Sequence, residues 1–522
     1  MLIRGRDIAA QRRPAGGPVS QALLILLAAL LLSWPLVANR TAILFPDSVA
    51  FFVAGRKMVK IASDQLLPEA PATSANTGAA PDPQPRVNTA PLVHRSPYYS
   101  LMAWLGRLAS GDLAGAAMLQ LLWVAAAVVL ALPRLGITGW WPRAATVAAL
   151  AVATPLGFYS AVALPDVFSG FLVLSLAMLL LGSPRRWAEQ GFWAFSLVAS
   201  AVFHTAFLLT GVALLAVLLA WLWRGASALP NQVLRNRVLL VAALLGVAAA
   251  GHSIAKVASE RSVGKSLEQP PFLLARMIGD GTAGKVLRAE CARTDYATCR
   301  YLPALPMTEN DMLWHGTRQT PWVRLPPAER ARLRAEQGIF MRIVAERHLP
   351  EQVAISLGNA LRQLATVHLL SFSPRPILPV LLQASGMRAE LAEMRASRIW
   401  TNSFPLAALG GGWGFVYGAA ALLSVLALAM PGRVALWLGL PVERVRQALR
   451  SPVAGAVAIL LLGLLFNAGI NGVLSTVVGR YQGRMSWLAL LGAIVLANQL
   501  WQLRKAAQAG AEPAPAGVIP AS

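Results

Sequence analysis

Residues 22–52 read ALLILLAALLLSWPLVANRTAILFPDSVAFF, a long apolar run that is soon followed by an aspartate. The run over 22–38 predicts a transmembrane helix, because it is too long for the usual apolar core of a signal peptide. Asp47 then lies at the end of this span, before a short apolar and aromatic segment. Ionisable groups so close to lipid are costly unless water, a partner or a ligand meets them, so Asp47 is a candidate functional residue.

The composition is that of a polytopic helical membrane protein. Of the 522 residues, 56% are hydrophobic and 13% are charged, and the mean hydropathy is +0.56. A soluble domain of this length cannot hide so much apolar sequence in one core. The net charge of +23 would indicate nucleic acid on a soluble protein, but here the basic residues stand in short connectors between apolar runs. Orientation in the membrane accounts for them, and we expect no nucleic-acid partner.

Apolar runs of about 20 residues predict an all-α fold with about ten transmembrane helices. We place these spans at about 21–38, 114–132, 143–161, 166–182, 191–203, 206–223, 237–252, 405–430, 453–473 and 486–503. The two spans on either side of His204 are also compatible with one long bent helix. Losing a span there would invert the orientation of every later one.

The basic residues of the short loops fall on one side of this topology. The predicted inner segments carry Arg134, Arg143, Arg185, Arg186, Arg224, Arg235, Arg237, Arg433, Arg444, Arg446, Arg450, Arg504 and Lys505. The short outer connectors, at 162–165 and near His204, contain no Lys or Arg. The positive-inside rule therefore predicts cytoplasmic termini in a multi-pass membrane protein. The Ala- and Arg-rich composition indicates a bacterial source, so we expect this protein in the bacterial inner membrane.

The spans divide the chain into five predicted regions. These are an inner tail (1–20), a transmembrane module (21–252) with an outer loop (39–113), a large outer segment (253–404), three further spans (405–503) and an inner tail (504–522). The outer loop contains two predicted amphipathic helices at the membrane interface, near 48–64 and 98–108. Between them lies a Pro-rich stretch, 68–91, that cannot bury a core. In the large outer segment the clearest predicted helices are 328–347 and 351–369.

The only two cysteines, Cys291 and Cys299, both fall in the large outer segment, eight positions apart. Two cysteines cannot complete a tetrahedral zinc site by themselves. An oxidising compartment favours a disulfide between them, with two free thiols as the alternative.

Polar residues of several spans meet on the outer face of this topology. They are Asp47, Asp166, His204, Arg480 and Arg484. Carboxylates supply a general base or hold a divalent metal, and the planar fork of arginine gives a phosphate two charge-assisted hydrogen bonds. The set therefore indicates a site for an anionic substrate.

Each of these residues also has a purely structural interpretation. Asp47 and Asp166 each precede a predicted helix and would serve as helix caps. His204 would be a hydrogen-bonded residue of a helix turn. Arg480 and Arg484 would anchor lipid headgroups. Their common placement on one face favours function for all of them.

Several motifs resemble the GT-C superfamily of polyprenyl-phosphate-sugar-dependent glycosyltransferases, and within it bacterial relatives of the protein mannosyltransferases. They are 45–51 (FPDSVAF), 95–104 (RSPYYSLMAW), 164–172 (LPDVFSGFL), 203–206 (FHTA) and 480–484 (RYQGR). They are similar to the superfamily's first acidic motif, its interfacial helix before the second span, its second acidic loop, the break between its middle spans and its late Arg-Tyr element. The order and sidedness of these motifs carry the resemblance.

The resemblance implies an inverting transfer of a sugar from a polyprenyl-phosphate carrier to an acceptor on the outer face. Asp47 would be the catalytic base and Asp166 would assist it, while Arg480, Arg484 and Tyr481 would hold the donor phosphate. The site would also be lined by His204, Arg95 and Tyr98. Many relatives carry a second acid directly after the first, where this chain has Ser48. This departure speaks against a two-carboxylate metal arrangement in the first outer loop. A divalent metal elsewhere in the site stays an open alternative, and no other cofactor is implied.

Two other classes fit the same pattern of charges. A transporter or flippase for a lipid-linked saccharide would also need membrane-level charges, although transporters usually place them near the bilayer midplane. A non-catalytic scaffold with the same fold is the third alternative, since fold does not fix function. The sugar and the acceptor do not follow from the sequence.

Overall fold

A computed structural model describes residues 17–66, 95–181, 187–224, 231–263, 269–315 and 320–509. Within these residues the chain is helical apart from its connecting turns and one isolated parallel bridge between Ile43 and Val162. The all-α prediction is confirmed for this part of the chain. The predictions for the first 16 residues, the Pro-rich stretch 68–91, Arg185 with Arg186, and the end of the C-terminal tail lie outside the described residues.

The first part of the chain forms the helices that the apolar runs predict. They are α1 (Pro18–Leu32), α2 (Trp34–Asn39), α3 (Pro46–Leu66), α4 (Pro97–Ser110), α5 (Ala114–Arg134), α6 (Trp140–Ala153), α7 (Leu156–Ala161), α8 (Phe168–Leu181), α9 (Trp187–Phe203), α10 (Thr205–Trp223) and α11 (Asn231–Val263). The predicted interfacial helices correspond to α3 and α4. The last helix continues to Val263, well beyond the predicted end of the seventh span at 252.

The remaining helices belong to the large outer segment and to the C-terminal spans. They are α12 (Phe272–Asp280), α13 (Thr282–Glu290), α14 (Pro327–Arg347), α15 (Leu349–Ala365), α16 (Ile377–Ala384), α17 (Arg388–Ala396), α18 (Leu406–Ala429), α19 (Pro431–Leu438), α20 (Val442–Leu449), α21 (Pro452–Leu474), α22 (Gly479–Gly483) and α23 (Trp487–Gln508).

Seven helical stretches of the described chain are long and apolar enough to cross a membrane, by length and composition. They are Pro18–Asn39, Ala114–Arg134, Thr205–Trp223, Gln232–Arg261, Leu406–Ala429, Pro452–Leu474 and Gly479–Gln508. Of the other three predicted spans, 166–182 coincides with the shorter apolar helix Pro165–Leu181, while 143–161 coincides with α6 and α7 and 191–203 with α9. A helical multi-pass membrane protein is therefore supported, and the count of ten spans stays a prediction.

α8 is the central helix of the bundle, because its residues from Phe168 to Leu180 are all buried. A helix that is apolar on every side needs protein or lipid on every side, and here α5, α9, α10, α11, α21 and α23 supply that cover. At one end of the bundle, Arg134 Nε lies 2.5 Å from Glu189 Oε1, and Arg237 donates to the carbonyl oxygen of Leu180 at 3.0 Å. The polar residues of the candidate site gather at the opposite end.

The chain is not one bent helix at His204. α9 ends at Phe203 and α10 begins at Thr205, and His204 between them has an extended backbone (φ −158°, ψ 133°). The His204 Nδ1 atom accepts a hydrogen bond from the backbone N–H of Ala206 at 3.1 Å, which caps α10. This hydrogen bond agrees with the structural interpretation of His204 as a hydrogen-bonded residue of a helix turn.

The outer segment has a small core of its own. Leu274, Val286, Tyr301 and Phe340 are among its buried residues, which come from α12, α13, α14 and the turns between them. The buried carboxylate of Glu336 accepts hydrogen bonds from the backbone N–H groups of Ala297 at 2.7 Å and of Thr298 at 2.9 Å, and from the Thr298 hydroxyl at 2.6 Å. These bonds fix the turn that carries Cys299, which forms a disulfide with Cys291.

We expect mass spectrometry of non-reduced peptides to show Cys291 linked to Cys299 in protein isolated from membranes. The physical reason is that the clamped turn holds Cys299 beside Cys291 at the end of α13, on the side that the topology assigns to an oxidising compartment. Two thiols that react with an alkylating reagent in freshly isolated membranes would contradict the bond and weaken the predicted sidedness.

Candidate functional site

The bridge between Ile43 and Val162 sets the two acidic motifs side by side. The backbone N–H of Ile43 donates to the carbonyl oxygen of Ala161 at 3.0 Å, and the N–H of Ala163 donates to the carbonyl oxygen of Ile43 at 3.0 Å. The bridge is parallel, so the two segments run in the same direction from it. Each segment reaches an aspartate four residues after its bridge residue, Asp47 after Ile43 and Asp166 after Val162. Two carboxylates from distant parts of the sequence are thereby brought to one place.

Asp47 stands in the first turn of α3, but it does not serve as the cap of this helix. Ser48 takes a capping role instead, since its Oγ accepts a hydrogen bond from the backbone N–H of Phe45 at 3.1 Å. The Asp47 carboxylate forms an ion pair with Arg95 and keeps 23% of its side-chain surface exposed. It is therefore a carboxylate that solvent can reach.

Asp166 lies in a short 3-10 turn, Pro165–Val167, and is buried. Its Oδ1 accepts a hydrogen bond from Arg484 Nη1 at 3.0 Å, and its Oδ2 lies 3.5 Å from Arg480 Nε. Both carboxylate oxygens thus face guanidinium groups, and the contacts of this side chain are not those of a helix cap.

Arg480 connects the two carboxylates. Its Nη1 atom lies 3.8 Å from Asp47 Oδ2, while its Nε lies 3.5 Å from Asp166 Oδ2. The guanidinium also stacks over the ring of Phe45, with 4.4 Å from Cζ to the ring centroid. Arg480 therefore joins the first acidic motif, the second acidic loop and the late Arg-Tyr element in one cluster.

Arg484 is the most deeply placed charge of the cluster, with 1% of its side chain exposed. Besides Asp166, it contacts Asn467 Oδ1 at 3.3 Å, and its Cζ lies 4.8 Å from the ring centroid of Phe207 and 5.0 Å from that of Tyr481. A side chain so buried is not a headgroup anchor at the membrane surface. Tyr481 forms the aromatic wall that both arginines share.

The cluster carries an excess of positive charge. Three guanidiniums, of Arg95, Arg480 and Arg484, face two carboxylates. Among the described residues, the buried Arg480 Nη1 and Arg484 Nε atoms have no hydrogen-bond partner. An unpaired donor in a buried site is costly, so these two N–H groups favour an anionic ligand with oxygen acceptors.

The backbone of the arginine element is held by residues that sequence reasoning missed. Buried Gln363 of α15 makes two hydrogen bonds with Val478, accepting from its N–H at 2.9 Å and donating to its carbonyl oxygen at 3.0 Å. The Tyr159 hydroxyl donates to the carbonyl oxygen of Arg480 at 3.2 Å. Gly483 permits this approach, because a Cβ there would lie 2.6 Å from the Tyr159 hydroxyl oxygen.

These positioning residues gave no usable signal in the sequence. Asn467 donates to the carbonyl oxygen of Tyr481 at 2.8 Å, from the middle of an apolar span. A buried amide within a span is the one feature that would have identified Asn467 beforehand. Gln363 lies in a helix of mixed composition and carries no such mark.

His204 and Arg95 are both brought to the cluster. Desolvation, followed by the nearby charges of Arg484, Arg95 and Arg480, lowers the pKa of His204 to about 3, although part of its ring is accessible to solvent. The ring is therefore neutral at physiological pH, and because Nδ1 accepts from Ala206, the proton resides on Nε2.

Tyr98 has a different role from the other residues that were expected to line the site. Its hydroxyl donates to the carbonyl oxygen of Gly251 at 2.9 Å, and the neighbouring Ser96 hydroxyl donates to the carbonyl oxygen of Val202 at 2.7 Å. These bonds hold the start of α4 against α9 and α11. Tyr98 thus fixes the helix that follows Arg95.

The donor set does not fit a divalent metal. No group of three or more His, Cys, Asp or Glu side chains converges anywhere in the described chain. Asp47 and Asp166 both face arginines, and a cation would have to displace those guanidiniums. In the described structure the contacts of both carboxylates are with guanidinium groups.

A cleft opens on the other side of Phe45. It is lined by residues of two segments, among them Asn39, Phe45 and Pro46 from the first and Phe372, Arg375 and Trp400 from the second. The Arg375 guanidinium lies 5.3 Å from the Phe45 ring centroid, so Arg375 and Arg480 both contact this ring. The cleft reaches Pro46, the neighbour of Asp47.

Comparison of the chain with protein-family models, with curated proteins and with solved structures finds no match. Fold and site together define a helical multi-pass membrane protein with a charged cluster of two aspartates and three arginines at one end of its bundle.

Replacing Asp166 by asparagine keeps the shape of the side chain but leaves the buried Arg484 without its counter-charge. Breaking a buried ion pair in this way costs about 3–5 kcal/mol, so we expect a marked loss of thermal stability in detergent. The matched control is Asp295→Asn, because Asp295 is fully exposed and its replacement should change stability by no more than about 0.5 kcal/mol. An Asp166→Asn protein that unfolds at the wild-type temperature would contradict the pairing.

Proposed function

We propose that this chain is an integral membrane glycosyltransferase that moves a sugar from a polyprenyl-phosphate carrier to an acceptor on the outer face. The observation that carries the proposal is the cluster of Asp47, Asp166, Arg480 and Arg484. These four charged residues come from three of the motifs and meet at one end of the bundle. The proposal includes a GT-C-like fold with ten spans, cytoplasmic termini and a place in the bacterial inner membrane.

The charge balance supports a phosphate-bearing donor. The cluster has one guanidinium more than it has carboxylates, and two of its buried N–H donors lack a partner among the described residues. A phosphate oxygen placed there would accept from Arg480 Nη1 and Arg484 Nε, and these donors would stabilise the negative charge that develops on the leaving group. Tyr481 would shield this phosphate from bulk solvent.

The two carboxylates would divide the work by exposure. Asp166 is occupied by two arginines and would keep them in position. Asp47 is partly exposed and would take the proton of the acceptor hydroxyl. The acceptor oxygen would then bond to the anomeric carbon while the bond from that carbon to the phosphate oxygen breaks, which inverts the configuration. The neutral His204 would be available as a hydrogen-bond donor beside them.

Replacing Asp47 by asparagine should abolish transfer while the protein still inserts and folds. A lost general base lowers the rate on the order of a hundredfold or more. Folding should survive because Asp47 is partly exposed and Arg480 keeps its contact with Asp166. The measurement is lipid and envelope-glycan profiling of a deletion strain complemented with each variant, with protein levels checked by immunoblot.

The matched control for this experiment is Asp295→Asn, which makes the same chemical change at a fully exposed position. It should restore the glycan profile of the deletion strain completely. Full complementation by Asp47→Asn would exclude the general-base mechanism and favour a transporter or a scaffold.

Replacing Arg480 by lysine should weaken donor use while the positive charge is kept. Lysine cannot reproduce the planar fork, so at least one charge-assisted hydrogen bond to the phosphate is lost, worth about 1.5–3 kcal/mol. We expect the KM for the lipid-linked donor found by profiling to rise about 10- to 100-fold. Arg433→Lys on α19, at an exposed position, is the control. An unchanged KM for the Arg480 variant would remove this residue from the donor site.

A further inference from the structure

α15 (Leu349–Ala365) has two faces of opposite character. One face is polar and buried, with Asn359 and Gln363 packed against other parts of the chain. The other face presents a row of large apolar side chains at a spacing of four residues, Leu349, Val353, Leu357 and Leu361. These four side chains are between 46% and 65% exposed in the described structure. A helix in water has the opposite arrangement.

The polar face of α15 is locked to a membrane span. α15 packs closely along α21 (Pro452–Leu474), where a Cβ on Gly472 would lie 2.8 Å from the Cα of Ala360. Gln363 ends this contact by holding Val478, just before the arginine element. The apolar row therefore projects from the side of a helix that is fixed beside the bilayer.

The surface of the neighbouring helix shows what this segment presents to water. The exposed positions of α14 (Pro327–Arg347) include several charged residues, among them Arg332, Arg334, Arg342 and Glu346. Ile339 and Met341 are exposed there too, but they do not continue as a row at helical spacing. The difference between the two helices indicates two different surroundings.

We propose that the row Leu349, Val353, Leu357 and Leu361 is immersed in the hydrocarbon of the bilayer leaflet on the side of the candidate site. Continuity with the membrane-facing surface supports lipid, since the adjacent α21 exposes Leu465 and Leu474. A second copy of the chain is the less suitable occupant. A stable protein interface buries about 800 Å² on each partner, which is far more than a single row of four side chains offers.

This placement has a consequence for the site. α15 carries both the lipid-facing row and Gln363, the residue that clamps the backbone before Arg480. The depth of α15 in the leaflet therefore sets the height of Arg480 relative to the lipid headgroups. The proposal does not depend on the reaction, because it concerns only what covers the helix.

The experiment uses site-directed spin labels on the full chain in liposomes. The native cysteines are joined in a disulfide, so a single introduced cysteine takes the nitroxide specifically. Leu357→Cys and Leu361→Cys report on the row, and Ala345→Cys on the exposed surface of α14 is the matched control. All three replace exposed residues and leave the core unchanged.

We expect nitroxides at 357 and 361 to collide more often with oxygen, which concentrates in lipid, than with a water-soluble nickel chelate. The label at 345 should show the reverse preference. A water-like preference at 357 and 361 would overturn the proposal. Low collision rates with both reagents would overturn it too, because they would mean that protein, either a second copy or another part of this chain, covers the row.

Discussion

The buried ion pair between Asp166 and Arg484 is the constraint on which the rest of the site depends. Arg484 is 1% exposed, and its charge is tolerated only because the carboxylate of Asp166 and the amide of Asn467 meet it. Removing two charges from water is expensive, and the energy is recovered only when the geometry is held closely. The 3-10 turn Pro165–Val167 and the end of α22 must therefore stay in register, although Asp166 and Arg484 are 318 positions apart in sequence.

The Asp166–Arg484 pair also affects which contacts the other charges of the cluster make. Asp166 faces both Arg484 and Arg480, although only its Oδ1 accepts a hydrogen bond and its Oδ2 has no hydrogen-bond partner among the described residues. Asp47 pairs with Arg95 at a more exposed position and shares Arg480 only at 3.8 Å. Contacts within the chain itself therefore hold the arginines in position. Exposure thus separates two aspartates that the sequence presents as equivalent.

Hydropathy predicted most of the helical framework, and the polar residues at span ends predicted a set of charges on one face, not their pairings. The details that failed have physical causes. The predicted span 143–161 is broken at Thr154, since Pro155 prevents the preceding residue from continuing a helix. α11 continues past residue 252, where its last turns are polar. These turns lower the hydropathy, so hydropathy places the end of the helix too early. Pairings such as Asp166 with Arg484 depend on how the helices pack, which periodicity does not encode.

At the irregular backbone around the cluster, some polar groups hold the chain in place and others do not. Non-helical backbone at membrane depth is tolerated only when its N–H and C=O groups find partners. The bridge at Ile43 supplies those partners at one break, the ring of His204 at the next, and Gln363 at the break before α22. These side chains and backbone groups are already used in holding the chain. Asp47 and Arg480 take no such part through their side chains, so these two charges lie at the interrupted helix ends without holding the backbone there.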